Sequence, residues 1–138
     1  MGDTDTTSRD NKAVMQRIFD ALAEGQARPL VDAMADDFRW TISGHSAWAG
    51  SFDGKQAVRE QLLRPLAARF ATPYTNRATR IVADGDIVVV ECRGDTTTKD
   101  GKRYDNRYCW VCRLAGGKLV ELTEYMDTQF AASVLGLP

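Results

Sequence analysis

The sequence predicts an α+β fold: a curved, mostly antiparallel sheet bent into a cone, with three helices from the first half of the chain packed on its concave side. Two observations carry this expectation. Up to about residue 70 the apolar residues recur mainly at helical spacing. After Pro73 they alternate, in segments separated by Asp-Gly and Gly-Gly turns. Helices followed by a run of hairpin-linked strands give a segregated architecture, not an alternating one.

Each element follows from local pattern. Residues 1–6 read as a flexible tail, and Thr7 with Asp10 resembles a helix-start capping arrangement. Val14, Ile18 and Leu22, flanked by Met15 and Phe19, form an apolar stripe that Gly25 ends. Pro29 suits the first turn of a short helix to about Ala35. Phe38, Trp40 and Ile42 alternate in a strand ending at Ser43, and a loop with His45, Trp48 and Phe52 follows. Lys55–Phe70 reads as a third helix, kinked or shortened by Pro65. Strands are expected at 75–83, Ile87–Thr98, Tyr104–Leu114 and Leu119–Met126. Their turns are Asp84-Gly85-Asp86, Asp100-Gly101 and Gly116-Gly117. Asp127 is placed to cap a short helix from Thr128 to Leu135.

The chain has 138 residues, 43% hydrophobic and 27% charged, which suits one domain, 1–138, with a real core. Its net charge of −1, from 18 basic and 19 acidic residues without a basic stripe, argues against nucleic acid as a partner. No apolar run is long enough for a membrane span. The polar, acidic N-terminus does not read as a secretory signal. With three cysteines, an odd number, it points to reduced thiols in the cytoplasm. Cys109 and Cys112 lie three apart in an alternating segment, so they point to opposite faces and form no metal or redox pair. No nucleotide-binding glycine motif or serine-hydrolase elbow is present, and no metal or other cofactor is expected.

Alternation assigns faces in the last strands. Leu122, Glu124 and Met126 share one face. Tyr104, Asn106, Tyr108, Trp110 and Cys112 share one face of the preceding strand. In the strand from Ile87, the sets Val89, Glu91, Arg93 and Val88, Val90, Cys92 are both candidates for the inner face. Glu124 is then an acid among aromatic and apolar neighbours, which is costly unless it is paired or at work in a pocket.

Several local features carry a family resemblance. They are the first helix ending Ala23-Glu24-Gly25, Met34–Phe38 leading into a strand, Gly101 with Tyr104, Gly117-Lys118-Leu119, and Glu124-Tyr125-Met126-Asp127. With these the chain resembles the nuclear transport factor 2-like superfamily in its SnoaL-like branch, from about Lys12 to Leu135. That resemblance implies a cone-mouth pocket for a small apolar molecule and a homodimer through the outer sheet face. Matched to limonene epoxide hydrolases, Glu91, Arg93 and Glu124 fall on the catalytic triad positions with the first two charge types exchanged. Trp40 and Ile42 replace the hydrolase's water-holding tyrosine and asparagine. Matched to ketosteroid isomerases, Ile18, Ile42 and Trp110 replace the oxyanion-hole tyrosine, the base and the protonated acid. Both matches imply that Glu91, Arg93, Trp110, Glu124 and Met126 face the pocket.

The resulting expectation is acid–base chemistry of isomerase, cyclase or epoxide-hydrolase type. Glu124 serves as base, Arg93 orients it or stabilises developing charge, and Glu91 assists. Trp40, Ile42, His45, Asn106, Tyr108, Trp110, Leu122, Met126 and Ile18 are the candidate substrate contacts. The competing readings are a buried Glu91–Arg93–Glu124 ion network and a non-catalytic ligand-binding or dimerisation module.

Overall fold

Met15, Ile18, Phe19 and Leu22 sit at i, i+3, i+4 and i+7, and all four are buried where the first helix lies on the sheet. The structure is a computed structural model describing residues 2–138, with side chains from residue 5 onward. Helix α1 is Gly2–Leu22, so positions 2–6, expected as a tail, continue the helix, and position 1 lies outside the described residues. Thr7 is therefore inside the helix and caps nothing. Further along, Ser8 accepts from the Gly85 amide at 2.7 Å and the Asn11 Nδ2 donates to the Gly85 carbonyl at 3.0 Å. These bonds fasten α1 to the tip of a hairpin.

Short helix α2 is Arg28–Ala33. Strand β1, Met34–Ile42, starts four residues before the alternation at Phe38 would suggest. Strand β2, Gly50–Asp53, was not anticipated. It lies inside the segment expected as loop and pairs antiparallel with β1. Helix α3 covers 55–67 and is π-helical over Val58–Leu63 before its last turn, Arg64–Ala67. Pro65 cannot donate to a carbonyl four residues back, and the widened register lies immediately before it.

The remaining strands are β3 (Thr75–Asp84), β4 (Ile87–Thr97), β5 (Arg103–Tyr104), β6 (Arg107–Ala115) and β7 (Lys118–Met126). The strand expected from Tyr104 is broken at Asp105-Asn106 into β5 and β6. Sheet order is β2-β1-β7-β6-β4-β3, with β5 also on β4. All pairs are antiparallel except β1 with β7, which run parallel, so the curled sheet is mixed. Helix α4, Thr128–Leu135, is capped as expected: the Asp127 side chain accepts from the Phe130 amide at 3.0 Å. No described helix is long and apolar enough to cross a membrane.

Burial settles the face of β4. Val88, Val90 and Cys92 are buried in the main core, whereas Glu91 and Arg93 are exposed. The expectation that Glu91 and Arg93 face the pocket is corrected. An ungapped match that is one residue out of step turns every side chain of a strand to the other face.

Candidate functional site

The inner faces of β1, β6 and β7 meet α2, α3 and α4 around a cavity of about 600 Å³. Its walls are mostly apolar. Leu30 and Val31 come from α2, Leu62 and Leu66 from α3, and Ala131 and Leu135 from α4. Exposed Arg59 and Arg64 stand among the lining residues on the α3 side. Glu124 is the single carboxylate in the lining, buried to 7% exposure.

The Glu124 carboxylate is held by its cross-strand neighbour. Trp110 pairs with Glu124 between β6 and β7, and its Nε1 donates to Oε2 at 2.6 Å. Removal from water raises the Glu124 pKa to about 7, against the pull of the Trp110 N–H and a second pull from Trp40. Trp40 lies edge-on to Trp110, with ring centroids 5.3 Å apart. Its Nε1 is buried and points its pull at the same carboxyl without a hydrogen bond of full geometry.

A second polar group sits just before β3 and on β5 and β6. The hydroxyls of Tyr74, Tyr104 and Tyr108 interact with one another, and burial pushes the pKa of each upward, so all three remain O–H donors. Tyr74 reaches this position because Gly94 has no side chain. A Cβ there would meet the Tyr74 ring, with Cε2 only 2.8 Å away. Asn76 also lines the cavity. It is fully buried, neither amide atom makes a hydrogen bond of proper geometry, and its side chain lies within reach of the Cys92 thiol. It slightly favours the thiolate of nearby Cys92, while burial raises that thiol's pKa far more.

One side of the cavity is closed by a latch. Arg69 donates to the carbonyl of Leu135 at 2.7 Å and also to that of Leu137. Its guanidinium lies 5.5 Å from the centroid of the Trp48 ring. Trp48 Nε1 donates to the Gly136 carbonyl at 2.8 Å. Trp48, Ala131 and Leu135 all line the cavity, so this latch fixes part of its wall.

The structure gathers Trp40, Ile42, Tyr108, Trp110 and Met126 around Glu124 in the cavity lining. It separates the rest of the expected set. Glu91 pairs with Arg80 at 3.1 Å and Arg93 with Asp105 at 3.0 Å, both on the outer surface. The expected trio is therefore neither a catalytic cluster nor a buried clamp. His45 is exposed in the β1–β2 loop and does not line the cavity. Ile18 and Leu122 are in the core but outside the lining. Asn106 is buried in a structural role, with Nδ2 donating to the Tyr104 hydroxyl at 3.0 Å and the Asp127 carbonyl at 3.1 Å. Its Oδ1 accepts from the Arg107 amide, so it braces the β5–β6 break.

Asn76 and Tyr74 are among the lining residues that sequence reasoning did not find. Asn76 stands between Thr75 and Arg77, a context that reads as solvent-exposed; only its register opposite Gly94 and beside Cys92 reveals it. Among the described residues, no three His, Cys, Asp or Glu side chains gather where they could hold a metal.

The sequence matches the family described as SnoaL-like domain over residues 15–122. An uncharacterised Mycobacterium tuberculosis protein is 28% identical over 112 residues, covering 81% of this chain and 85% of that protein. Among solved structures, a nuclear transport factor 2-like protein of unknown function from Burkholderia pseudomallei superposes with a TM-score of 0.78 at 18% identity. That match covers 92% of this chain and 98% of that one. A limonene-epoxide-hydrolase-like epoxide hydrolase of M. tuberculosis superposes with a TM-score of 0.72 at 19% identity, covering 93% and 91%. At these identities the structural matches establish a shared fold.

Proposed function

The chain belongs to the SnoaL-like domain family, and from that premise we propose that it is an enzyme using Glu124 for acid–base chemistry on a small, mostly apolar molecule. Members of this fold include polyketide cyclases, isomerases and epoxide hydrolases. The observation that carries the reading is Glu124 itself. A lone carboxylate stands in an apolar cavity, anchored at one oxygen by Trp110 and with a pKa near 7. At neutral pH such a group is part ionised, and its conjugate acid is strong enough to return a proton.

In this mechanism Glu124 removes a proton from an acidic C–H of the substrate, or from a water attacking it. The Trp110 N–H fixes which oxygen is free to approach. Negative charge that develops on a substrate oxygen is met by the neutral tyrosine hydroxyls, with Tyr108 the best placed because it lies on the strand beside Glu124. The reaction needs no group beyond the side chains and substrate, in keeping with isomerisation, cyclisation or water addition. Arg93 and Glu91, expected in those roles, are replaced by phenol and indole donors.

The test is α-proton exchange. Cyclic ketones and enones are incubated with the protein in deuterated buffer and followed by NMR, alongside a panel of epoxides for turnover. Exchange or turnover that disappears in Glu124→Gln supports the reading. A parent protein that does neither, or a variant that matches it, counts against the reading.

A second reading is a ligand-binding module without chemistry. It is favoured by one observation: among the described residues, no second charged side chain acts on Glu124 to complete an acid–base pair. A homodimer through the outer sheet face belongs to both readings. The exposed Tyr125 on β7 and half-buried Val111 and Cys109 on β6 give that face an apolar strip. Sedimentation would decide it.

A further inference from the structure

The cavity has two charged regions of opposite sign. Glu124 stands at one and is buried. Arg59 and Arg64 stand at the other, and both are exposed although they line the cavity. Leu62, between them in the chain and also in the lining, is buried, so the two arginines mark where the cavity opens along α3. They are the only cations among the described lining residues. Neither acts on the Glu124 carboxyl, so the two regions are separate.

The backbone explains how both arginines reach one opening. Residues five apart in an α-helix lie about 140° apart around its axis, too far to share a narrow face. Here the helix is π-helical over Val58–Leu63, and the Arg64 amide donates to the Arg59 carbonyl, five residues back. The wider turn carries Arg64 round toward the side that Arg59 occupies, and single π turns of this kind are frequent at functional sites. The two guanidinium groups also differ from others on the surface. Arg39, Arg80, Arg93 and Arg113 each pair with a carboxylate. Among the described residues, the Arg59 and Arg64 side chains have neither an ion pair nor a hydrogen bond. Two cations with all their donors free therefore stand at the mouth of an apolar cavity.

We infer that Arg59 and Arg64 recognise a carboxylate, so that the ligand of this cavity is an apolar molecule with a carboxylate at one end. Planar guanidinium forks match the two oxygens of a carboxylate, and there is no third cation to suit a more highly charged group. Charge also sets the direction of entry, because an anion is drawn to the arginines and repelled by ionised Glu124. The carboxylate stays at the mouth while the apolar end reaches past Leu62 and Leu66 toward Glu124 and Trp110. This rests on the cavity being the ligand site, as proposed above, but not on Glu124 performing chemistry. It narrows the substrate class from small apolar molecules to carboxylic acids whose reactive carbon is remote from the carboxylate.

Three of the lining residues, Trp40, Trp48 and Trp110, make the experiment direct, since ligand entry changes their fluorescence. Two saturated probes of nearly equal size are titrated at neutral pH: 4-cyclohexylbutanoic acid, which is ionised, and 4-cyclohexylbutan-1-ol, which is not. The parent protein is expected to bind the acid about tenfold more tightly or better, and to lose most of that preference between roughly 20 mM and 500 mM salt. Arg59→Met with Arg64→Met keeps long apolar stems over the lip and removes both charges. In this double variant the preference falls to about one, while the alcohol binds as it does to the parent and so reports an intact cavity. Arg59→Glu with Arg64→Glu reverses the preference. In Glu124→Gln the preference stays. Equal affinity for the two probes in the parent, a preference indifferent to salt, or one that survives in the Met variant overturns the inference and leaves the Glu124 reading standing. A clear preference for the acid with no Glu124-dependent proton exchange upholds the inference and counts against that reading. Failure of both probes to bind at millimolar concentration overturns the inference, and the exchange experiment alone then decides the role of Glu124.

Discussion

Trp110 and Glu124 are direct cross-strand partners, and the indole Nε1 donates to the carboxylate Oε2 at 2.6 Å. The relationship sets the carboxylate's orientation and opposes the effect of its burial. Desolvation raises the Glu124 pKa and the indole lowers it, leaving the balance at about 7. Trp110→Phe keeps most of the apolar volume but removes the donor. The rising limb of the pH–rate profile is expected to move alkaline by about one pH unit or more, with kcat at neutral pH falling more than KM changes. An unmoved profile would show that the indole does not interact with the catalytic form.

The same balance makes stability depend on pH. Glu124 titrates at about 7 when folded against an ordinary 4.5, so the folded state holds the proton more tightly than the unfolded chain. Its contribution is complete below pH 4.5 and is lost as pH rises toward 7, a change on the order of 3 kcal/mol. Glu124→Gln has no such equilibrium. Relative to the parent, it is expected to gain stability steadily between pH 4.5 and 7, read from denaturant midpoints across that range, while turnover drops roughly 100-fold or more. A stability gap that ignores pH would contradict the burial of this carboxylate.

Glu91 and Arg93 are expected to be dispensable. Each sits in an exposed ion pair, with Arg80 and Asp105 respectively, and such pairs are worth about 0–1 kcal/mol. The double variant Glu91→Gln, Arg93→Gln should melt within a few degrees of the parent and retain its activity. A loss of activity comparable to Glu124→Gln would restore them to the site.

Gly94→Ala adds a methyl group where the Tyr74 ring lies. Strand backbone cannot yield easily, so the phenol must leave the hydroxyl cluster, at a cost of roughly 1–3 kcal/mol. Urea denaturation measures the loss. Tyr74→Ala combined with Gly94→Ala should show much less than the sum of the two effects, because the clash requires both partners.

Arg69→Ala removes two hydrogen bonds to C-terminal carbonyls and the contact with Trp48. The effect is expected to be local. Amide exchange in 128–136 should accelerate by tenfold or more, while the amides of β4 and β6 stay protected. Uniform acceleration across the sheet would mean that the latch supports the whole fold.

The architecture was legible because its signals are redundant. Stripe spacing in α1, alternation in the strands and the Asp-Gly and Gly-Gly turns each pointed to the same order of elements, and Asp127 proved to be the cap of α4. Strand β2 was missed because Gly50–Asp53 holds a single large apolar residue, Phe52, and its pairing with β1 is a tertiary fact. In the site, Glu124, Trp110, Trp40 and Tyr108 were visible as an acid and aromatics on shared strand faces. The error at Glu91 and Arg93 had a remedy within the strand itself. Val88, Val90 and Cys92 are wholly apolar, while the alternate set carries two charges, and that contrast outweighs a distant match. Asn76 was out of reach because its polarity is ordinary until its burial is known.

Ile42 on β1 and Glu124 on β7 are register partners although about 80 positions separate them, and theirs is the one parallel pairing in the sheet. Local hairpins between β3 and β7 can close early at little cost in chain entropy, whereas this junction must wait for two distant segments to meet. During synthesis, β1 emerges long before β7 and exposes an unpaired edge until residue 126 has cleared the ribosome. The wall that carries the carboxylate is therefore the last part of the sheet to be completed. Refolding followed by Trp110 fluorescence should lag behind the formation of the β4–β6 ladder.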